Sequence, residues 1–588
     1  MRLTLLLTFC FFNGLLPGQS VFSSKIAPEV RAAFKKGEHP DVLVAFTTQA
    51  DLSEAALRKS KAQKAQFVFS TLSQVAASSQ EKAQAFLRTT DLVVNSFYLV
   101  NALSVKACTP VVAQQLAALP EVKAIALDPA VKLEMPLSTN ASGDRSAIEW
   151  GIEKINAPLV WNLGFTGQGI TIGGADTGYD WLHPAIQPHY RGYNAQIGEV
   201  NHNYNWHDGV TAPSPLNGNA DNPCGFNIKA PCDDQSHGTH TMGTMTGDDG
   251  MGNQIGVAPG ASWVGCRNME RGWGQPSTYL DCFEWFLAPT DTNDLNPDPL
   301  KAPHVINNSW YCAVEEGCTD LTVNELLRTA VINLKAAGVV VVVSNGNAGG
   351  QGCSSTFGPP AYFEESFSIG ASREDDAIAG FSSLGPVTID NSYRIKPNVV
   401  APGQGIRSSV PGNGYASFSG TSMAGPHVAG LVALLIDANP ILEGEVEVIE
   451  SIIETTCVPF NGPQDCSDSL GTSYPNNTFG FGRIDAFAAV QKALTYVIST
   501  SQPSSSDEAI LFPNPTSGAV VLKLNAFVGP IQWTLTDALG RVMHSQQLSV
   551  QNQDWLPLQL GELSNGVYFY QLIDARGAAK SGRLTVKK

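Results

Sequence analysis

The chain has 588 residues, 43% of them hydrophobic and 15% charged, enough apolar material for about three or four folded units and too much for an intrinsically disordered protein. Its 36 basic and 53 acidic side chains give a formal charge of −17. That balance excludes a non-specific nucleic-acid binder or one held by charge on an anionic bilayer, since neither polyanion would attract it.

Residues 1–20 combine Arg2 with an apolar run through Leu5, Leu6, Leu7, Phe9, Phe11 and Phe12 and end in Gly18, Gln19 and Ser20, the pattern of a secretory signal peptide. This run is too short and interrupted for a spanning helix, and 339–343 is one buried strand long, so no membrane span is expected. Eleven cysteines in an exported chain point to disulfides. The neighbours Cys224 and Cys232, Cys312 and Cys318, and Cys457 and Cys466 lack the Cys-x-x-Cys spacing with partner histidines that zinc would need, and spacing leaves the connectivity open.

Residues 21–145 form the first expected domain. Strand-like Val42–Phe46 is followed by a helical pattern at 61–88, an extended stretch at 98–105, a helical pattern at 110–119 and strand-like Val122–Leu127. If the central stretch is two strands, the order β-α-β-β-α-β is that of a ferredoxin-like α+β unit. A polar run at 138–146, with Thr139, Asn140, Ser142, Gly143 and Asp144, reads as an exposed, cleavable linker. In the second domain, 146–495, apolar strand runs such as 169–175 and 339–344 alternate with helical patterns such as 428–437, which predicts an α/β fold with a mainly parallel sheet. Residues 496–508 are a flexible Ser/Thr/Gln/Pro linker. Residues 509–588 carry short strands at 520–524, 531–535 and 567–572 with the turn signal Asn565-Gly566, which predicts a small all-β sandwich.

The chemistry-bearing residues lie in the second domain. Asp176 closes the apolar run 170–175 in Ala175-Asp176-Thr177-Gly178, at the carboxyl edge of a strand, where ligand and catalytic groups collect in an open α/β sheet. It could equally form a turn. Asp-Thr-Gly is also the aspartic-protease tripeptide, but a two-lobed enzyme of that type needs a second copy, absent here, and the dimeric type needs a short chain. His237 and His240 share one face of the helical stretch Ser236-His237-Gly238-Thr239-His240-Thr241-Met242-Gly243. A zincin places its histidines at i and i+4 around a glutamate, so metal is disfavoured and one histidine as general base is preferred. Ser422 lies in Phe418-Ser419-Gly420-Thr421-Ser422-Met423-Ala424-Gly425-Pro426-His427, before an apolar helix. Pro426 is tolerated in a first turn and so predicts that Ser422 sits near the amino end, where free N–H groups favour negative charge. Helix cap and nucleophile remain equal readings of Ser422 taken alone. Asn347, in Ser344-Asn345-Gly346-Asn347-Ala348-Gly349, is a turn residue or an amide donor to an oxyanion.

Together, Asp176, His237, Asn347 and Ser422 occur in an order that resembles the subtilisin-like serine proteases (subtilases). α/β-Hydrolases run Ser, Asp, His around a Gly-x-Ser-x-Gly elbow, and chymotrypsin-like enzymes run His, Asp, Ser. The resemblance extends to Trp150-Gly151-Ile152, His183-Pro184, Gly256-Val257-Ala258-Pro259-Gly260-Ala261, Lys396-Pro397-Asn398-Val399-Val400-Ala401-Pro402-Gly403 and Gly480-Phe481-Gly482-Arg483. It implies that Ser422 Oγ attacks a peptide carbonyl, His237 moves the proton, Asp176 holds the imidazole, and the Asn347 amide with the Ser422 N–H binds the oxyanion. It also implies substrate contacts at Ser309, Trp310, Gly346 and Gly358. Ser309-Trp310-Tyr311-Cys312 stands where many members have a glycine pair after Ser-Leu in the substrate-binding strand, giving a bulkier or rearranged pocket wall, with Gly358 at the floor. No cofactor is required and no catalytic metal is expected. Ala185 stands where some subtilases have a calcium aspartate, and the oxygen-rich loops 217–234 and 291–298 leave calcium open.

The first domain resembles the inhibitory propeptide of these enzymes at Asn101-Ala102-Leu103-Ser104-Val105 and Leu119-Pro120-Glu121-Val122. Cleavage between Met135 and Ala147 would remove Cys108 with it and leave one cysteine unpaired, with Cys353 as the candidate. The last domain resembles the sorting domain of the type IX secretion system of Bacteroidota, at Phe512-Pro513-Asn514-Pro515-Thr516-Ser517-Gly518, Asp537-Ala538-Leu539-Gly540-Arg541, Leu563-Ser564-Asn565-Gly566-Val567-Tyr568 and Lys587-Lys588; an accessory adhesive β domain is the other reading. The expected protein is a secreted or cell-surface monomeric zymogen of a serine endopeptidase. Its partners would be protein or peptide substrates, its own propeptide and the type IX machinery. A catalytically inactive subtilase-like binding or adhesion protein is the alternative.

Overall fold

The computed structural model describes residues 23–133, 137–139, 147–214, 216–217, 221–311, 320–462, 466, 474–497, 510–512, 516, 519–523, 530–537, 541–548, 555–561, 563–573 and 579–587. The expected signal peptide, most of the 138–146 and 496–508 linkers, Cys312, Cys318 and parts of the sorting motifs lie outside the described residues. Two compact units are present, Met1–Tyr496 and Val497–Lys588.

The first unit begins with a four-stranded antiparallel sheet in the order Val94–Phe97, Ala102–Val105, Val42–Phe46, Val122–Leu127, with helices Lys61–Leu87 and Pro110–Ala117. That is the ferredoxin-like order. Asn101, in the left-handed region at φ 49°, turns the chain between Val94–Phe97 and Ala102–Val105. All five residues of Val42–Phe46 are buried because both faces are covered. Val42, Val44 and Phe46 enter the sheet's own core, whereas Leu43 and Ala45 share a core with Tyr279, Phe283, Leu327 and Trp310 of the following domain.

The central layer is a seven-stranded, all-parallel sheet in the order Trp206–Asp208, Ser262–Arg267, Thr171–Asp176, Val305–Asn308, Val340–Ser344, Phe367–Ser372, Val399–Pro402. From Thr171–Asp176 the chain first builds toward one edge and then, from Val305 on, toward the other. Asp176 therefore sits at the carboxyl end of the strand where the winding reverses, the position at which such sheets place their ligands. Val340–Ser344 reads as an unbroken apolar run because helices cover both faces. The helix Thr421–Ala438 is long and apolar enough to cross a bilayer, yet 94% of it is buried inside the fold. It packs on the central strands and shares one core with Val340, Val342 and Ile369. Pro426 lies inside this helix, not in its first turn as expected. Its missing N–H leaves the Ser422 carbonyl without a helical donor.

Disulfides join Cys224 to Cys232, Cys266 to Cys282, and Cys353 to Cys466. Cys353 is therefore not the unpaired thiol. The fold brings its glycine-rich loop to Cys466, with Cα atoms 5.3 Å apart, while the sequence neighbour Cys457 caps the helix Val446–Thr456 and points into the core, where burial raises its pKa. Cys108 is the other buried free thiol among the described residues.

The second unit pairs a three-stranded antiparallel sheet (Ile510–Phe512, Ala519–Lys523, Trp555–Gln559) and a four-stranded one (Val542–Leu548, Ile531–Asp537, Gly566–Ile573, Ala579–Val586). Along Gly566–Ile573, Tyr568, Tyr570 and Leu572 point inward and alternate with exposed residues. They meet Val520, Leu522 and Leu558 in one core, which makes the unit a sandwich.

Candidate active site

Three elements converge at the switch point. Asp176 ends its strand, His237 opens the helix His237–Thr246, and Ser422 is the second residue of Thr421–Ala438. His237 Nδ1 lies 2.7 Å from Asp176 Oδ1, both side chains being essentially inaccessible. The Thr177 N–H donates to the same oxygen at 2.8 Å, and Thr241 Oγ1 donates to Oδ2 at 3.2 Å, so the carboxylate is fixed at both oxygens. His237 Nε2 is buried without a hydrogen-bond partner among the described residues.

Ser422 is not a helix cap, since Gly420 holds that position and no side chain caps the helix end. Ser422 Oγ donates to the Ser309 carbonyl at 3.1 Å, and Ser309 Oγ donates to the Ser422 carbonyl at 2.9 Å. This second bond replaces the helical one that Pro426 cannot make. The serine hydroxyl is thus turned to Ser309 and not to the imidazole.

Asn347 Oδ1 accepts from the Thr421 N–H and from Thr421 Oγ1, both at 2.9 Å. Because those partners are donors, the amide orientation is set, and its Nδ2 makes no hydrogen bond among the described residues. Gly346 holds φ 102°, and a Cβ there would meet Ser383 Oγ at 2.9 Å, so the turn that delivers Asn347 requires glycine. Gly358 is buried and accepts the Ala361 N–H at 3.1 Å. Trp310 is the sequence-derived site residue whose ring lies elsewhere. It is buried in the core, stacked on Tyr279 with centroids 3.8 Å apart, so only its backbone is left to form a pocket wall.

His240, the second histidine of the motif, is a packing residue. Its Nε2 lies 3.0 Å from the Ile406 carbonyl and 3.1 Å from that of Ala416, its ring stacks on Phe418, and burial lowers its pKa to about 3. Sequence reasoning missed Asp233. Oδ1 accepts from Thr177 Oγ1, the Gln235 N–H and the Ser236 N–H, and Oδ2 from the Thr239 N–H and Oγ1. One buried carboxylate thereby ties the turn after Asp176 to the helix start at His237. Nothing in the sequence separates it from the other loop aspartates.

Among the described residues of the loops considered for calcium, three aspartates have their oxygens engaged. Asp291 accepts from the Asn293 and Leu295 N–H groups and Asn296 Nδ2. Asp294 pairs with His207, and Asp234 accepts from Asn222 Nδ2, Arg267 and the Arg271 N–H. As arranged, these residues do not fit a calcium cage, whose ligands must turn their oxygens to the ion.

The end of the first domain runs past the site. Val131–Lys132 pairs antiparallel with Trp273–Gly274, and the Leu133 N–H reaches the Gly272 carbonyl at 2.6 Å. Leu137–Thr139 then pairs antiparallel with the strand Gly414–Ser419 that leads into Ser422.

Two regions of the chain match known families. Residues 167–482 match the subtilase family, and residues 510–587 match a secretion system C-terminal sorting domain. The chain is 35% identical over 500 residues to bacillopeptidase F of Bacillus subtilis (strain 168), covering 79% of this chain and 32% of that protein. It is 30% identical over 295 residues to subtilisin E of the same strain, covering 50% of this chain and 62% of the relative. It is 29% identical over 323 residues to alkaline elastase YaB of Bacillus sp. (strain YaB), covering 54% and 68%. The chain thus spans about a third of the first relative and about two thirds of the others. The sorting domain marks it as a secreted or cell-surface protein. With a match over more than half of its length, the chain belongs to the subtilase family.

Proposed function

We propose that the protein is a serine endopeptidase made as a zymogen, in which residues 21–145 hold the propeptide together with the bond whose cleavage releases it, 146–495 the catalytic domain and 509–588, after the 496–508 linker, the sorting domain read by the type IX machinery. The observation that carries the reading is the 2.7 Å contact between His237 Nδ1 and Asp176. With Asp176 as carboxylate, Nδ1 holds the proton and Nε2 is left as the base, buried and without a partner. For attack the Ser422 hydroxyl must turn from the Ser309 carbonyl to that base. Ser422 Oγ then attacks the peptide carbonyl, and His237 takes its proton and returns it to the leaving amine. The Asn347 Nδ2 and the Ser422 N–H at the helix start receive the oxyanion. Water repeats the sequence on the acyl-enzyme. Ser309, the Trp310 backbone, Gly346 and Gly358 contact the substrate. No cofactor takes part.

The antiparallel pairing of 131–133 with 272–274, and of 137–139 with the strand that leads into Ser422, supports self-processing, since a chain held on both flanks of a bond is presented as a substrate is. The bond cut lies after Leu133 and before Leu137. One observation favours the alternative of an inactive binding protein: the Ser422 hydroxyl is spent on the Ser309 carbonyl. Labelling with a fluorophosphonate separates the two. Wild type should label and shorten, whereas Ser422→Ala should do neither; an unlabelled wild type that keeps its first domain would establish the inactive reading.

A further inference from the structure

Near the end of the first domain residues 131–133 are bound as an extended strand, and the three differ sharply in environment. Val131 and Leu133 are 0% and 4% exposed, in the cluster that holds Met269, Tyr279 and Trp310. Lys132, between them, is exposed. Its Nζ stands 5.4 Å from the centroid of the Trp273 ring, inside the range of about 6 Å at which an aromatic face attracts a cation.

The backbone pairing here is blind to sequence, because any peptide offers the same N–H and C=O groups; selection has to come from side chains, which alternate with a period of two. The receiving strand offers few. Gly272 and Gly274 flank Trp273, and a Cβ at 274 would collide with the Tyr279 ring at 2.6 Å. The indole is therefore the one side chain this strand presents beside the middle residue of a bound triplet.

We propose that Trp273 is a specificity-determining residue, and that it reads a lysine or arginine at the middle of an apolar-basic-apolar triplet on the amino side of the bond to be cut. This rests on the endopeptidase reading above and names its substrate class. An ammonium or guanidinium over the indole face is drawn by the ring quadrupole. A glutamine of similar reach gains nothing from it, and a glutamate carboxylate is repelled.

The test uses matured wild-type enzyme, Trp273→Phe and Trp273→Leu on quenched-fluorescence peptides that differ only in carrying Val-Lys-Leu, Val-Gln-Leu or Val-Glu-Leu. Wild type should prefer lysine over glutamine by about two- to five-fold in kcat/KM, the range expected for an exposed cation on an aromatic face, with glutamate lowest. Trp273→Phe should keep part of the preference, and Trp273→Leu should bring the ratio to one. Each ratio is internal to a variant, so a general loss of activity cancels, and Trp273→Phe serves if the leucine variant fails to fold. Equal rates for lysine and glutamine in wild type, or a lysine preference that survives in Trp273→Leu, overturns the proposal while leaving the endopeptidase reading intact. Failure of wild type to cut any peptide or to take the fluorophosphonate overturns both.

Discussion

The buried carbonyl of Ser422 depends on a donor that its own helix cannot supply, because Pro426 has no N–H. Ser309 Oγ supplies it at 2.9 Å while accepting from Asn307 Nδ2 at 2.8 Å. Ser309→Ala strips partners from one buried acceptor and one buried donor. At about 1–3 kcal/mol each, with partial relaxation, the expected loss is about 2–5 kcal/mol of unfolding free energy. Pro426→Ala restores an N–H one helical turn beyond Ser422. In that background Ser309→Ala should cost about 1–2 kcal/mol less, since one of the two orphaned groups regains a partner. Urea unfolding of the four proteins, each carrying Ser422→Ala to prevent self-digestion, measures the coupling through tryptophan fluorescence. Additivity within about 0.5 kcal/mol would refute the idea that Ser309 stands in for the missing helical bond.

Asn347→Ala should lower kcat by about 10²–10³-fold with little change in KM, the magnitude measured for an oxyanion asparagine in a subtilisin; steady-state kinetics on a peptide substrate decide it. Asp233→Ala removes the acceptor that caps the His237 helix and should cost about 1–2 kcal/mol, as lost caps do, together with a fall in kcat; circular-dichroism melts and kinetics report the two. Burial alone would lower the pKa of His207, but Asp281 at 2.9 Å and Asp294 at 3.2 Å raise it from 6.5 to about 10. The pair therefore contributes its full stability below pH 6.5, and that contribution fades as pH rises and is gone above about 10. His207→Gln should flatten stability against pH in that window; an unchanged slope would count against the charged pair. Amino-terminal sequencing of the processed wild type should find a first residue between Glu134 and Leu137, and a start beyond 140 would contradict the two-flank presentation.

Much of the fold was legible because its signals are local. Unbroken valines at 340–343 announce a strand covered on both faces, and the spacing of Asp176, His237 and Ser422 carries a family order that chance does not reproduce. Pro426 rightly marked Ser422 as lying near the helix start, but its own place is just past the first turn, where a hydroxyl from residue 309, a contact between distant segments, supplies the bond it cannot make. Trp310 was read as a pocket wall because the sequence locates its backbone but not the direction of its ring, which Tyr279 captures. The partner of Cys353 lies 113 residues away, a pairing that its place on the glycine-rich stretch after Asn347 does not announce. Asp233 was hidden for the same reason: its importance comes from five donors gathered by folding.

The helix that carries Ser422 is also deeply enclosed in the larger unit, with residues 421 to 436 all buried. Its amides can exchange with heavy water only when the surrounding layers come apart. Deuterium uptake along 428–436 should therefore report the same opening free energy as loss of hydrolytic competence. Ageing, heat or solvent should then leave a population of intact and wholly inert molecules, with no half-working form between them.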